Sequence, residues 1–136
     1  MPRTIVQRVK LTAGPRDLFE TYLDSARHSA ATGARAKISR KAGARFSAWN
    51  GYIQGKTLHV VPGKLVVQTW RGSDFREDSI LMLRFDEAPG GGRITMVHAN
   101  VPDERAASIA KGWHDYYWKP WRAYLRSHAK KKRSAL

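Results

Sequence analysis

The chain has 136 residues, 42% of them apolar, and no cysteine; it is long enough to bury one core, and disulfides and thiolate-held metals are excluded. Its formal net charge is +14, a field that draws polyanions rather than cationic partners. No run approaches the roughly 20 apolar residues of a membrane span and the first residues lack an apolar signal core, so a cytoplasmic protein is expected.

The first strand is expected over Thr4–Leu11, where Ile5, Val9 and Leu11 give a partial period of two. Thr12-Ala13-Gly14-Pro15 ends it, and Pro15 suits the first turn of a helix whose apolar face is Leu18, Phe19, Tyr22 and Leu23. Asp24 or Ser25 can cap a second short helix through Ala31, closed by Gly33. From Ala34 onward the texture changes to short β-rich runs between turn signals. Ala36–Ser39 reads as a weak strand and Arg45–Trp49 as a firmer one. Asn50-Gly51 then predicts a two-residue type I′ hairpin turn, because both central positions of that turn need positive φ. Gly55-Lys56 is expected to interrupt the following strand before Thr57–Val61. Lys64–Arg71, Ser79–Phe85 and Arg93–Val101 complete an antiparallel meander, punctuated by Pro62-Gly63 and by Pro89-Gly90-Gly91-Gly92.

The last element is expected to be one long helix from Pro102 to Leu125. Ile109, Trp113, Tyr117 and Trp121 recur along one face, with Tyr124 and Leu125 beyond them. Asp103 is placed to cap its start, and Glu104 sits near the positive end of the helix dipole. Pro120 removes a backbone hydrogen bond and predicts a bend near Tyr116, while Gly112 suggests a close approach to a strand. Lys111, Lys119 and Arg122 fall on the outer side. A meander followed by one amphipathic helix is an α+β arrangement, read as a single domain over 1–126. Residues 127–136 read as a basic tail carrying Lys130, Lys131, Lys132 and Arg133.

Catalytic constellations are sparse. The five histidines, His28, His59, His98, His114 and His128, are scattered, and no G-x-S-x-G or H-x-x-x-H occurs. The triple glycine joins two strands instead of opening a helix, so it does not read as a phosphate cradle. His98 on a strand admits two readings: a ligand or general base, or a hydrogen-bonded core or cavity histidine. Asp74, Glu77 and Asp78, with Arg71 and Arg76 nearby, read as a solvated, salt-bridged loop or as a polar gate. No cofactor and no metal are expected, and binding is favoured over catalysis.

Four stretches carry a family resemblance. They are Gly51-Tyr52-Ile53-Gln54-Gly55; Leu58-x-x-x-Pro62-Gly63-Lys64-x-x-x-Gln68-x-Trp70-Arg71; His98-x-x-Val101-Pro102; and Gly112-Trp113-x-x-Tyr116-Tyr117-Trp118-x-Pro120. In order and approximate spacing the chain resembles the activator of heat-shock protein 90 ATPase homologue-like family over about residues 4–126. That family belongs to the START-like, SRPBCC or helix-grip superfamily. The resemblance implies a curved antiparallel sheet of six to seven strands wrapped around the long C-terminal helix, with two short helices after the first strand. It also implies a largely apolar cavity between sheet and helix. Trp113 and Tyr117 are then expected on one wall, with Trp49, Tyr52, Trp70 and His98 supplying the other.

The first functional expectation is therefore a hydrophobic or amphipathic small molecule held in that cavity. The second is a protein-interaction module acting on a chaperone. A co-chaperone of the family's eponymous kind carries a further N-terminal domain, which this chain is expected to lack, so that reading ranks second. Nucleic acid or anionic membrane bound through the basic ends ranks last, because those cations are not interleaved with aromatics in a stacking pattern.

Overall fold

The computed structural model describes residues 1–134, with side chains to His128; the side chains of the basic tail beyond it lie outside the described residues. Strand β1 (Arg3–Leu11) leads into helices α1 (Pro15–Leu23) and α2 (Ser25–Thr32). Strands β2 (Arg45–Ala48), β3 (Ile53–Val61), β4 (Leu65–Gly72), β5 (Ser79–Ala88) and β6 (Gly91–Val101) follow. The six strands form one antiparallel sheet in the order β1-β6-β5-β4-β3-β2. Each strand after β2 pairs with its predecessor, and β1 closes the far edge against β6.

The helices begin and end where the side chains dictate. Pro15 opens α1 in its first turn. Asp24 caps α2 by accepting a hydrogen bond from the Arg27 amide at 3.0 Å, and Gly33 ends it at φ 79°. One sheet face packs on the helices. Leu81, Leu83 and Phe85 of β5 alternate with exposed residues, as do Ile94, Met96 and His98 of β6 with partly covered ones. They meet Leu18, Phe19 and Tyr22 of α1 and the aromatic face of the C-terminal helix in one apolar cluster. Each such buried side chain contributes on the order of 1.5–3 kcal/mol by leaving water.

Three local expectations differ from the structure. Ala36–Ser39 is not a strand; only Lys37 bridges Ser47. The turn after β2 is not the two-residue type I′ form. Ala48 pairs with Ile53, so four residues lie between, and Trp49, Asn50 and Gly51 take φ of 50°, 57° and 92° in succession. The Asn-Gly pair does supply the left-handed conformation it favours, but a third left-handed residue widens the loop. Finally, β3 runs unbroken through Gly55-Lys56. A Cβ on Gly55 would lie 2.0 Å from the Thr69 carbonyl oxygen, so the glycine admits the close approach of β4 instead of ending β3. The irregularity falls later, at Leu58, where the register steps from Thr57↔Gln68 to His59↔Val67.

The C-terminal segment is helical throughout, in three parts: α3 (Asp103–Trp113), a π-helical turn (His114–Trp118) and α4 (Lys119–Ser134). Asp103 is the first helical residue and not the cap; its carboxylate pairs with Arg3 on β1. The π turn explains the aromatic spacing. Ile109, Trp113, Tyr117, Trp121 and Leu125 step by four, and in a pure α-helix each such step drifts about 40° around the axis. The wider π turn, in which the Lys119 amide donates to His114 five residues back, takes up that drift and keeps all five buried. It also turns Trp118 inward. Pro120, which has no N–H to give, follows directly, so the predicted bend takes the form of a π turn. Gly112 approaches no strand: a Cβ there would meet only the Tyr116 ring at 3.6 Å.

Gln7 on β1 fastens this turn to the sheet. Its Oε1 accepts from Trp118 Nε1 at 2.8 Å, and its Nε2 donates to the Ala110 carbonyl at 3.0 Å.

Candidate functional site

Between the 49–51 turn, the ends of β3 and β4, α3 and the π turn lies a cleft of about 590 Å³. Trp49, Tyr52, Trp70, Trp113 and Tyr117 line it. His98 does not. It lies behind the wall, fully buried, with Trp70 4.7 Å and Trp113 5.9 Å away between ring centroids, both near edge-on. The lining also includes Ile109, Arg105, Lys111 and Tyr116. Ile109 was legible as part of the apolar stripe. Tyr116 was not singled out, although seven residues after Ile109 and three after Trp113 it falls near their face of a helix.

The hydrogen bonds around His98 have a fixed direction. Indole N–H can only donate, so His98 Nδ1 is the acceptor from Trp113 Nε1 at 3.1 Å. The proton is therefore on Nε2, which donates to Ser79 Oγ at 2.8 Å, and the Ser79 hydroxyl donates to the Trp70 carbonyl. Burial pushes the His98 pKa down to about 4. A neutral imidazole with both nitrogens engaged has no lone pair free to act as a base. Its role is to fix the tilt of Trp113 on the wall.

A second histidine does the same for Tyr117. His28 Nδ1–H donates to the Tyr22 carbonyl at 2.8 Å, which leaves Nε2 to accept from the Tyr117 hydroxyl at 3.0 Å. Burial lowers the His28 pKa to about 4 and raises that of Tyr117. Tyr22 in turn donates to Gln68 Oε1, and Gln68 Nε2 donates to Thr57 Oγ1. Tyr117 thus shows the cleft its ring and keeps its hydroxyl in the core. His28 gave no sequence signal for this, since nothing in a short helix of mixed composition marks a buried imidazole.

The mouth is polar on one side. Tyr52 donates to Asp74 Oδ1 at 2.9 Å, Arg105 Nη2 donates to the Tyr52 oxygen at 3.3 Å, and Arg105 Nε lies 3.0 Å from Asp74 Oδ2. These three join the turn after β2, the β4–β5 loop and α3. Tyr52 lies close over Gly72, where a Cβ would come within 2.9 Å of its hydroxyl. Arg71 pairs with Asp78 at 2.9 Å, and Phe75 is buried against Trp70, anchoring the loop. The Asp74 loop is thus both salt-bridged and part of the cleft mouth. On the other side Trp49 meets Tyr116 edge-on at 5.0 Å. Trp49 is held at φ 50°, a conformation that costs a bulky residue on the order of 1–3 kcal/mol. The neighbouring Asn50 pins it there by exchanging backbone and side-chain hydrogen bonds with Arg35. Among the described residues no three His, Asp or Glu side chains come together to hold a metal ion, and no helix is long and apolar enough to cross a membrane.

A six-stranded antiparallel sheet closed by a long C-terminal helix, with a cleft left open beneath that helix, defines a START-like domain of the helix-grip type. Within that class the chain belongs to the Activator of Hsp90 ATPase homolog 1-like protein family, whose model matches residues 12–126. An HSP90 activator from Plasmodium falciparum has the same fold, with a TM-score of 0.79, 20% identity, and 92% of this chain and 96% of that one covered. An uncharacterized protein of Schizosaccharomyces pombe is 28% identical over 118 residues, 85% of this chain and 35% of its own length. The human activator of 90 kDa heat shock protein ATPase homolog 1 is 24% identical over 106 residues, 76% of this chain and 31% of its own length. The chain spans about a third of the length of the curated relatives it matches.

Proposed function

We propose that this domain binds a small apolar or amphipathic molecule in the cleft between the sheet and the C-terminal helix. The observation that carries the reading is the cleft itself: about 590 Å³ walled by Trp49, Trp70, Trp113 and Tyr117 beside an otherwise filled core. Aromatic walls with a few polar tips are the usual make-up of ligand sites. Binding is favoured over catalysis because His28 and His98, the buried candidates for acid–base chemistry, spend both ring nitrogens on internal hydrogen bonds. Native mass spectrometry of the purified full chain, with a thermal-shift screen of lipids and aromatic compounds, tests this. A bound mass or a stabilising compound is expected; apo mass alone and no shift from any compound overturns it.

A second reading, a protein-interaction module acting on an Hsp90-like ATPase, is favoured by the outer sheet face. Val6, Val97, Met82 and Val67 form one cross-strand row there, with Val6 49% and Met82 40% exposed. Arg8, Arg84 and Lys56, all exposed, flank it. Such a face suits a partner that presents an apolar patch with an acidic rim, and the chain's own net charge of +14 disfavours a second copy. Capture of an Hsp90-type chaperone and stimulation of its ATPase are expected on this reading; neither, with Met82→Glu indistinguishable from wild type, removes it.

A further inference from the structure

The chain has eleven glycines, and ten of them have a structural reason. Five sit at positive φ, four would bring a Cβ within 3 Å of a neighbouring atom, and Gly14 stands at the N-cap of α1. Gly112 has none of these reasons. It lies within continuous helix at a helical φ, and a Cβ there would meet only the Tyr116 ring, at an ordinary contact distance of 3.6 Å. Glycine is the least favourable residue after proline inside a helix. The position thus forgoes stability that alanine would supply without a clash.

What distinguishes Gly112 is its place in the cleft. Arg105, Ile109, Gly112 and Tyr116 follow one another at spacings of four, three and four, down the middle of the helix side that lines the opening. Trp113 and Tyr117 flank that strip on one side, and Ser108 and Asp115 on the other. Every other position of the strip carries a large side chain, whereas at Gly112 the lining is bare helix backbone. Gly112 is half-buried, so that backbone is open to the cleft and not sealed behind a neighbour. Six of the lining side chains are aromatic and only two, Ile53 and Ile109, are aliphatic.

We infer that Gly112 is the specificity-determining residue of the cleft: its missing side chain leaves the seat on which a planar ring of the ligand lies against the helix. This rests on the reading of the cleft as a ligand site, and adds the residue that admits the ligand and the ligand's shape. A flat ring finds offset or edge-on partners among the surrounding aromatics, which a flexible alkyl chain does not. A side chain at position 112 would project from the middle of the strip into the space the ring needs. The glycine therefore trades helix stability for room, and it does so at the one lining position of the helix where no packing neighbour requires it.

The test is isothermal titration of the full chain with 2-naphthol and with 1-decanol, one planar and one flexible, each carrying a single hydroxyl on its carbon frame. Naphthol is expected to bind more tightly than decanol. Gly112→Leu is expected to weaken naphthol binding at least about tenfold, and Gly112→Ala by about threefold. A thermal melt of each variant verifies that it is folded, and should Gly112→Leu not fold, the naphthol affinity of Gly112→Ala decides. In Gly112→Ala the melting temperature is expected to rise by about 3 °C, because alanine favours the helix and meets no clash. A melting temperature that falls in Gly112→Ala assigns the glycine to the fold and overturns the inference. Naphthol affinity unchanged in the variants, or decanol bound more tightly than naphthol, also overturns it while leaving the cleft a ligand site. No binding of either compound to the wild-type chain overturns the ligand reading itself and this inference with it.

Discussion

The two buried histidines make the fold acid-sensitive, and the size of the effect follows from their surroundings. His28 and His98 have pKa values lowered by burial from 6.5 to about 4, and only Tyr22, Tyr117, Ser79 and Trp113, all uncharged, hydrogen-bond to their rings. As the pH falls below 6.5 the unfolded chain takes up a proton on each imidazole, whereas the folded chain does so only near 4. The unfolded state therefore binds more protons across that window, and stability declines as pH falls through it. Each histidine removes about 3 kcal/mol between pH 7 and pH 4, together about 6 kcal/mol, against the 5–15 kcal/mol typical of a whole domain. Protonating His98 also sets two donors, its own Nδ1–H and the Trp113 indole, against each other. The assay is urea unfolding at a series of pH values. The expected slope between pH 5 and pH 6 is about 2–3 kcal/mol per pH unit, close to two protons. His98→Gln, whose amide can both accept from Trp113 and donate to Ser79, is expected to halve that slope. A stability that is flat from pH 6.5 to 4.5, or a slope unchanged in His98→Gln, would refute the reasoning.

Three further substitutions probe the packing. Gly55→Ala puts a methyl against the Thr69 carbonyl oxygen at 2.0 Å and is expected to destabilise by about 3 kcal/mol or more, read as a fall in the urea midpoint. Gln7→Leu leaves the buried Trp118 indole without an acceptor and takes a donor from the Ala110 carbonyl; a loss of about 1–3 kcal/mol is expected, with hydrogen exchange quickening across residues 110–119. Asp74→Ala breaks a half-exposed ion pair, so its effect on the urea midpoint is expected to be under about 1 kcal/mol, while the Tyr52 hydroxyl loses its acceptor.

The order of elements was legible because each run carries its own period. The alternation along β5 and β6 and the four-residue steps from Ile109 to Leu125 survive unchanged in the structure. What could not be read were features set by neighbours distant in sequence. Gly55 looks like a strand breaker until Thr69 is seen above it, and Trp49 is left-handed because Arg35 holds Asn50 in place. The π turn falls between these cases. Pro120 announced an irregularity, but its form depends on how much angular drift the sheet contacts require. Among the aromatics expected at the cavity, Trp49, Tyr52, Trp70, Trp113 and Tyr117 line the cleft, since large rings near strand ends and on the helix stripe have few other places to go. His98 differs because a strand position fixes a residue's face but not its depth. One layer back, it orients Trp113 and does not reach the opening.

The most direct test of a ligand cleft is heteronuclear NMR of the tryptophan indole N–H groups during titration with the compound that gives the largest thermal shift. The chain has five tryptophans, so the indole region is sparse enough to follow one by one. The resonances of Trp49, Trp70 and Trp113, which line the cleft, are expected to move and saturate, while that of Trp118, bonded to Gln7 on the sheet side, stays in place. Wall-tryptophan resonances that all stay in place at saturating compound would contradict the account.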